Sequence, residues 1–171
     1  MAGSRETLTA LTIKMIDFCD ALSGVSKSLD SKLDWAITGG ANLSLRSGLR
    51  SANDVDIICS RKDMPRIIRA ISSTGFTNTK SRCGDIRSVF CSKEIDHVKF
   101  EIMSDVENLV CNTWVPNTLF LDCIERNVML DGFSVNLMSV AYEVHINALI
   151  GNMALCERFL ELEASSKNEI S

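Results

Sequence analysis

The chain has 171 residues, of which 46% are hydrophobic and 23% are charged, and its formal net charge is −4. This length suits one well-packed core and is short for two, so we expect a single domain over residues 1–171 with its core over about 30–140. The acidic balance argues against broad binding of duplex DNA, which requires clustered Lys and Arg. No apolar run in the sequence approaches the roughly 20 residues of a membrane span.

The seven cysteines are scattered and form no CxxC pair. Their number is odd and no secretory signal precedes them, so we expect reduced thiols in a cytoplasmic protein rather than a disulfide framework. With only two histidines in the chain, a zinc site is not expected either.

Hydrophobic periodicity over the first hundred residues predicts alternating helices and strands. Helical spacing covers residues 6–30, and a short buried strand over 35–38 leads into a glycine pair and a short helix. An amphipathic helix over 64–73 carries Pro65 in its first turn, where proline is tolerated. Strands are predicted over residues 55–59, 76–80, 87–91 and 97–103.

The second half carries a strong turn signal. Asp131-Gly132 separates two β-rich runs and predicts a hairpin of strands 127–130 and 133–137. Helical spacing then covers 139–163, with a break near Gly151 and Asn152. We interpret residues 108–125 as a packed loop in preference to a lid over a site. Together these elements predict an α/β (α+β) fold, a mixed β-sheet flanked by helices.

The first candidate site residues are Asp54 and Asp56, at alternate positions of a β-branched segment. Successive strand side chains point to opposite faces, so both carboxylates project the same way, roughly 6 to 7 Å apart. Like charges this close repel unless a cation lies between them, and Mg²⁺ or Mn²⁺ prefers oxygen ligands. The alternative interpretation is an aspartate that caps a turn.

A third carboxylate, Glu101, lies in a segment where Val98, Phe100 and Ile102 alternate with polar residues. If this strand pairs with the Asp54 strand, Glu101 completes a three-carboxylate cluster as a metal ligand or as the base that orients an incoming hydroxyl. The alternative is an exposed strand carboxylate. Lys99, on the same face, could bind phosphate or form a cross-strand pair.

Gly39 and Gly40 follow the strand over 35–38. Without a Cβ they allow a tight turn and close approach of the backbone to a phosphate, at the N-terminus of the next helix. Arg46 and Arg50 are candidate partners for phosphate oxygens, although Arg46 could equally pair with a surface acid.

Residues 39–58 read GGANLSLRSGLRSANDVDII and resemble the nucleotidyltransferase superfamily, which has the DNA polymerase beta-like fold. They look most like the abortive-infection type of toxin nucleotidyltransferase, whose pattern runs roughly GGTALALRYGHRRSEDIDLF. Leu49, Ala52 and His145 depart from that pattern, the last standing near an expected Lys. The match runs without a gap through Gly39, Gly40, Leu43, Leu45, Arg46, Gly48, Arg50, Asp54 and Asp56, and Glu101 takes the place of the third carboxylate.

The resemblance implies Mg²⁺-dependent transfer of a nucleoside monophosphate from a nucleoside triphosphate to a hydroxyl, with release of pyrophosphate. It assigns catalysis and metal binding to Asp54, Asp56 and Glu101, and nucleotide binding to the glycine pair and the two arginines. The acceptor is left open among RNA, protein and a small molecule, as are the base, the oligomeric state and any regulatory partner.

Two other hypotheses compete with nucleotidyl transfer. A catalytically inactive nucleotidyltransferase fold, serving as a nucleotide sensor or a protein-interaction module, would explain the short second half and the missing Lys. A phosphate-metal hydrolase would use the same ligands with a positioned water in place of the acceptor hydroxyl. Product analysis separates transfer from hydrolysis.

Overall fold

The structure is a computed structural model that describes residues 20–48, 52, 54–71, 77–83, 86–130 and 132–168. Helix α1 covers residues 20–28, which are the described part of the helix predicted over 6–30. The other helices are α2 (Gly39–Arg46), α3 (Met64–Ile71), α4 (Val140–Leu149) and α5 (Met153–Asn168), with a 3₁₀ helix over Leu119–Cys123. The strands are β1 (Trp35–Thr38), β2 (Asp54–Cys59), β3 (Thr77–Cys83), β4 (Ile86–Ile95), β5 (Val98–Val110), β6 (Thr113–Pro116), β7 (Ile124–Leu130) and β8 (Phe133–Met138).

These strands form one mixed sheet in the order β3-β4-β5-β2-β1-β8-β7, and β6 pairs with β5 beside this path. The pairs β1–β8 and β2–β5 are parallel, whereas the other pairs are antiparallel. A mixed sheet flanked by helices confirms the predicted fold class. None of the helices in the described ranges is both long enough and apolar enough to cross a membrane.

Side chains of the central strands point alternately to a buried, apolar face and to a mixed face of the sheet. One face buries Ile37, Ile57 and Phe100, which are fully inaccessible and belong to the main core. The other face is mixed: Ile58 packs in a smaller cluster with Tyr142 of α4, and the acidic residues of β2 share its alternation. The period-two pattern of β2 and β5 therefore separates a core face from a face that can carry chemistry.

The interpretation of residues 108–125 as a packed loop is wrong. Strand β5 continues to Val110, a two-residue turn follows, and β6 returns along β5 from Thr113 to Pro116. Both turn residues, Cys111 and Asn112, have positive φ angles of 47° and 64°. A turn of this kind matches the twist of a hairpin, but Cys-Asn is not the Asn-Gly sequence that usually announces it.

The remaining elements agree in type with the predictions and differ in length. The hairpin around Gly132 is confirmed as β7 and β8, and the break between the last two helices falls at Gly151, where φ is +74°. The predicted strands over 76–80, 87–91 and 97–103 are longer than expected. Pairing with two neighbours extends β4 and β5 past the point where their alternation of apolar and polar residues fades.

The turn between β5 and β6 gives a stability prediction. Replacing Cys111 by Asn and Asn112 by Gly should raise the free energy of unfolding by about 0.5–1 kcal/mol, because Asn-Gly adopts two successive positive φ angles with less strain. Urea denaturation measures the change. If the double variant is less stable than the parent, this hairpin turn is not the conformation that residues 111–112 adopt.

Candidate functional site

The parallel pairing of β2 and β5 brings the three predicted carboxylates together. Asp54 lies opposite Lys99 and Asp56 lies opposite Glu101 in the strand register. Residues paired in register project to the same face of a sheet, so the Asp56 and Glu101 carboxyl groups are neighbours, and Glu101 contributes to the raised pKa of Asp56. The sequence-predicted neighbour relation between these two strands is therefore present in the structure.

Asp56 is partly buried beside other acidic side chains, which changes its pKa. The pKa of Asp56 is raised to about 7, first by burial and then by the charges of Asp54 and Glu101. Asp56 therefore keeps its proton to a higher pH than an ordinary aspartate when no cation is bound. The Nζ of Lys99 forms an ion pair with Glu101, so the structure answers the open question on Lys99 in favour of a carboxylate partner within its own strand.

The carboxylate oxygens of Asp54, Asp56 and Glu101 are the kind of ligand that a hard divalent cation prefers. They are not close enough to one another to hold such an ion. Among the described residues, no three His, Cys, Asp or Glu side chains are grouped closely enough to hold an ion. Glu101 already has a cationic partner, the Nζ of Lys99. Excess negative charge on oxygen ligands, as at Asp56, is what Mg²⁺ or Mn²⁺ would neutralise.

The turn at the glycine pair places backbone next to Asp56. Gly39 has a φ angle of +67°, and a Cβ on it would lie 3.2 Å from Oδ2 of Asp56. Only glycine fits this conformation and this distance without strain. Gly40 is not in the left-handed region and has nothing within 4 Å of its Cβ position. The turn therefore requires glycine at position 39, whereas Gly40 borders open space.

A buried carboxylate that the sequence analysis missed holds this turn. Glu143 of α4 is 1% exposed, and its Oε1 accepts hydrogen bonds from Thr38 Oγ1 at 2.8 Å, Gly39 N at 2.9 Å and Asn42 Nδ2 at 2.7 Å. Burial raises the pKa of Glu143, and these three bonds work against that rise. The Gly39 N–H is therefore occupied, so free backbone donors for a phosphate have to come from Gly40 onward.

Arg46, one of the two predicted arginines, is bound to groups outside the carboxylate site. Arg46 donates from Nε to Asn42 Oδ1 at 2.9 Å, and from a terminal nitrogen to Glu125 Oε2 at 2.6 Å and to the Met138 carbonyl at 2.9 Å. These contacts favour the alternative interpretation, a pair with an acid, and a nucleotide role for Arg46 stays a prediction. Arg50 lies outside the described residues.

A cavity of about 220 Å³ opens beside Asp56, between the sheet and the last two helices. Gly40 and Glu143 line it, together with apolar side chains and several asparagines from both layers. His145, which stands near the Lys of the resembled pattern, is exposed and lines a separate cavity of about 110 Å³. The structure thus joins the glycine turn, the carboxylates and a ligand-sized space in one place.

A family model for aminoglycoside-2″-adenylyltransferases matches residues 21–154, which contain the glycine turn, the three carboxylates and Glu143. The chain belongs to this family. It is therefore a nucleotidyltransferase, as the sequence resemblance indicated, and the inactive alternative loses support. The abortive-infection subtype stays a prediction. No curated protein matches the sequence.

One solved structure agrees with the fold, and two others are less similar. A nucleotidyltransferase candidate of Thermotoga maritima superposes with a TM-score of 0.68 at 23% identity, covering 87% of this chain and 94% of its own. Similarity is lower to ANT(2″)-Ia in complex with adenylyl-2″-tobramycin, with a TM-score of 0.46, 14% identity and coverage of 96% and 99%. The lincomycin-bound lincosamide adenylyltransferase LnuA gives a TM-score of 0.48 at 9% identity, with coverage of 77% and 88%.

The raised pKa of Asp56 predicts how its replacement changes stability. Because the folded state keeps this proton to about pH 7 and the unfolded state loses it near 3.8, folding is penalised as pH rises through that window. In chelator, Asp56→Asn should match the parent near pH 4 and exceed its stability above pH 7, by on the order of 1 to 4 kcal/mol. Chemical denaturation across pH measures this, and a loss of stability at pH 8 would show that the Asp56 carboxylate supports the fold.

The hydrogen bonds to Glu143 predict that its replacement destabilises the protein, in contrast to the replacement of Asp56. Glu143→Ala leaves three donors without their acceptor and should lower the free energy of unfolding by about 3 kcal/mol or more. Glu143→Gln keeps one oxygen in place and should cost clearly less. Urea denaturation of both variants measures the difference, and equal stability of parent and alanine variant would contradict the assigned contacts.

Proposed function

We propose that this protein transfers a nucleoside monophosphate, with AMP as first candidate, from its triphosphate to a hydroxyl of a small molecule and releases pyrophosphate. The observation that carries the proposal is the register of Asp56 beside Glu101, under the Gly39 turn, in a chain of an adenylyltransferase family. The name of that family points to ATP as the donor and to aminoglycosides as the first acceptors to test.

Asp54, Asp56 and Glu101 would hold Mg²⁺ or Mn²⁺, which supplies charge neutralisation on the triphosphate and on the attacking oxygen. The protein itself would position the triphosphate. Gly39 lets the backbone pass close to Asp56, and the first turn of α2 from Gly40 onward offers N–H groups to phosphate oxygens.

Glu101 would also take part in proton transfer. Glu101 lies beside Asp56 in the strand register and pairs with the Nζ of Lys99, so it adjoins both an acidic and a basic group. On cation binding, Asp56 would give up its raised pKa because an opposite charge favours the ionised form. Glu101 would then be free to orient the acceptor hydroxyl and receive its proton.

A transfer assay tests the proposal. The full chain is incubated with ATP labelled on the α-phosphate, Mg²⁺ or Mn²⁺, and separate panels of aminoglycosides, RNA and a protein extract. We expect label in the small-molecule fraction together with released pyrophosphate. Asp56→Asn should lower the rate by about a hundredfold or more, because it removes an ionisable ligand without emptying the core.

Glu94→Gln is the matched control, since Glu94 is an exposed carboxylate on the neighbouring strand β4. It should keep the parent rate, and circular dichroism should show the same fold for both variants. Undiminished transfer by Asp56→Asn would refute the assigned site. Nucleotide cleavage without a labelled acceptor would identify a hydrolase, and label confined to RNA or protein would refute the small-molecule acceptor.

A further inference from the structure

Asn108 of β5 is a buried polar side chain with an unmet hydrogen bond. It is 5% exposed, and its Oδ1 is inaccessible and has no hydrogen-bond partner in the described structure. An unsatisfied buried acceptor costs about 1 to 3 kcal/mol, so folded proteins seldom keep one without a use. The same residue lines the cavity that contains Asp56 and Gly40.

A bend in β5 brings this residue to the cavity. The pairing with β4 skips from Glu107 to Ser104, and Asp105 between them has a positive φ of 49°. Bulges of this kind bend a strand and re-aim the residues that follow. Through it, Asn108 comes to line the same cavity as the far helices α4 and α5, although it is distant in sequence from the carboxylates.

The chemistry of the cavity limits its ligand. Most of the wall is apolar, and a volume of about 220 Å³ lies below the roughly 300–1,000 Å³ of sites for drug-sized molecules, so it suits one ring system. A polyhydroxylated acceptor of several rings would not fit this volume. The apolar wall is formed by Ile58, Met103, Val106, Ile146, Ile150 and Leu155.

We propose that this cavity binds the base of the nucleoside triphosphate, and that Asn108 Oδ1 accepts a hydrogen bond from an amino group on that base. The proposal rests on the proposed function. The phosphates would lie at Gly40 and Asp56, which both line the cavity, and the base would extend between the sheet and α4. An asparagine carboxamide is complementary to the amino edge of adenine, which makes Asn108 a specificity-determining residue for the base.

Calorimetric binding of two probes tests this assignment. One is an ATP analogue that cannot be cleaved between the α- and β-phosphates, and the other is the same analogue of purine riboside, which lacks the amino group. With Mg²⁺, the parent should prefer the adenine probe by about tenfold or more, and Asn108→Leu should bring that ratio close to one. Without nucleotide, Asn108→Leu should melt at the same or a higher temperature, because an unsatisfied acceptor has been removed.

Thr113→Leu is the control, since Thr113 is an exposed polar residue on β6, next to β5, and does not line this cavity. It should keep the parent ratio. An unchanged ratio in Asn108→Leu, equal binding of both probes by the parent, or an effect confined to acceptor affinity would each overturn the assignment. Transfer activity with an unchanged ratio would overturn this inference alone, whereas selective binding without any transfer would overturn the proposed function alone.

Discussion

The carboxylate of Glu143 is the contact on which the site depends. It joins α4 to the end of β1 and to the start of α2, and it does so through one oxygen that accepts from Thr38, Gly39 and Asn42. Asn42 extends the connection by donating to the Met138 carbonyl at the end of β8. A charged group fixed at the N-terminus of a helix is stabilised by the helix dipole as well. The glycine turn, the sheet and one wall of the cavity are thereby held in one arrangement.

Next to this satisfied carboxylate lies a group of carboxylates that the fold does not satisfy. Asp54, Asp56 and Glu101 face the same way, and in the part of the chain that the structure describes only Glu101 forms an ion pair, with the Nζ of Lys99. Burial and repulsion make ionised Asp56 unfavourable, so the free protein keeps a proton where a metal ion would be needed. Repulsion among these carboxylates destabilises the free protein, and a bound cation would remove the repulsion. Such a loss of stability is typical of a functional site.

The sequence predicted those parts of the site that follow from local pattern. Alternation placed Asp54, Asp56 and Glu101 on the open faces of two strands, and the glycine pair marked the turn. Glu143 escaped notice because its partners lie about a hundred residues away in the chain, and its only local signal was a lone acid in an apolar helical run. The hairpin at Cys111 was missed because its turn lacks glycine. The sequence could not choose between two roles for Arg46, because a basic residue near a predicted phosphate site can equally pair with an acid. In the structure it binds Glu125 and the Met138 carbonyl.

Glu143 and Asn108 show how two buried polar groups in one cavity can differ in purpose. Glu143 has a partner for every bond that its position demands, so its removal is a loss to the folded state whether or not a ligand is present. Asn108 has an acceptor with no partner among the described residues, so the free protein bears a cost that only a bound donor can remove. Burial alone does not distinguish these cases, because both side chains are at most 5% exposed. The number of satisfied hydrogen bonds distinguishes them. By this measure Glu143 supports the structure of the cavity, and Asn108 is the residue available to bind a ligand in it.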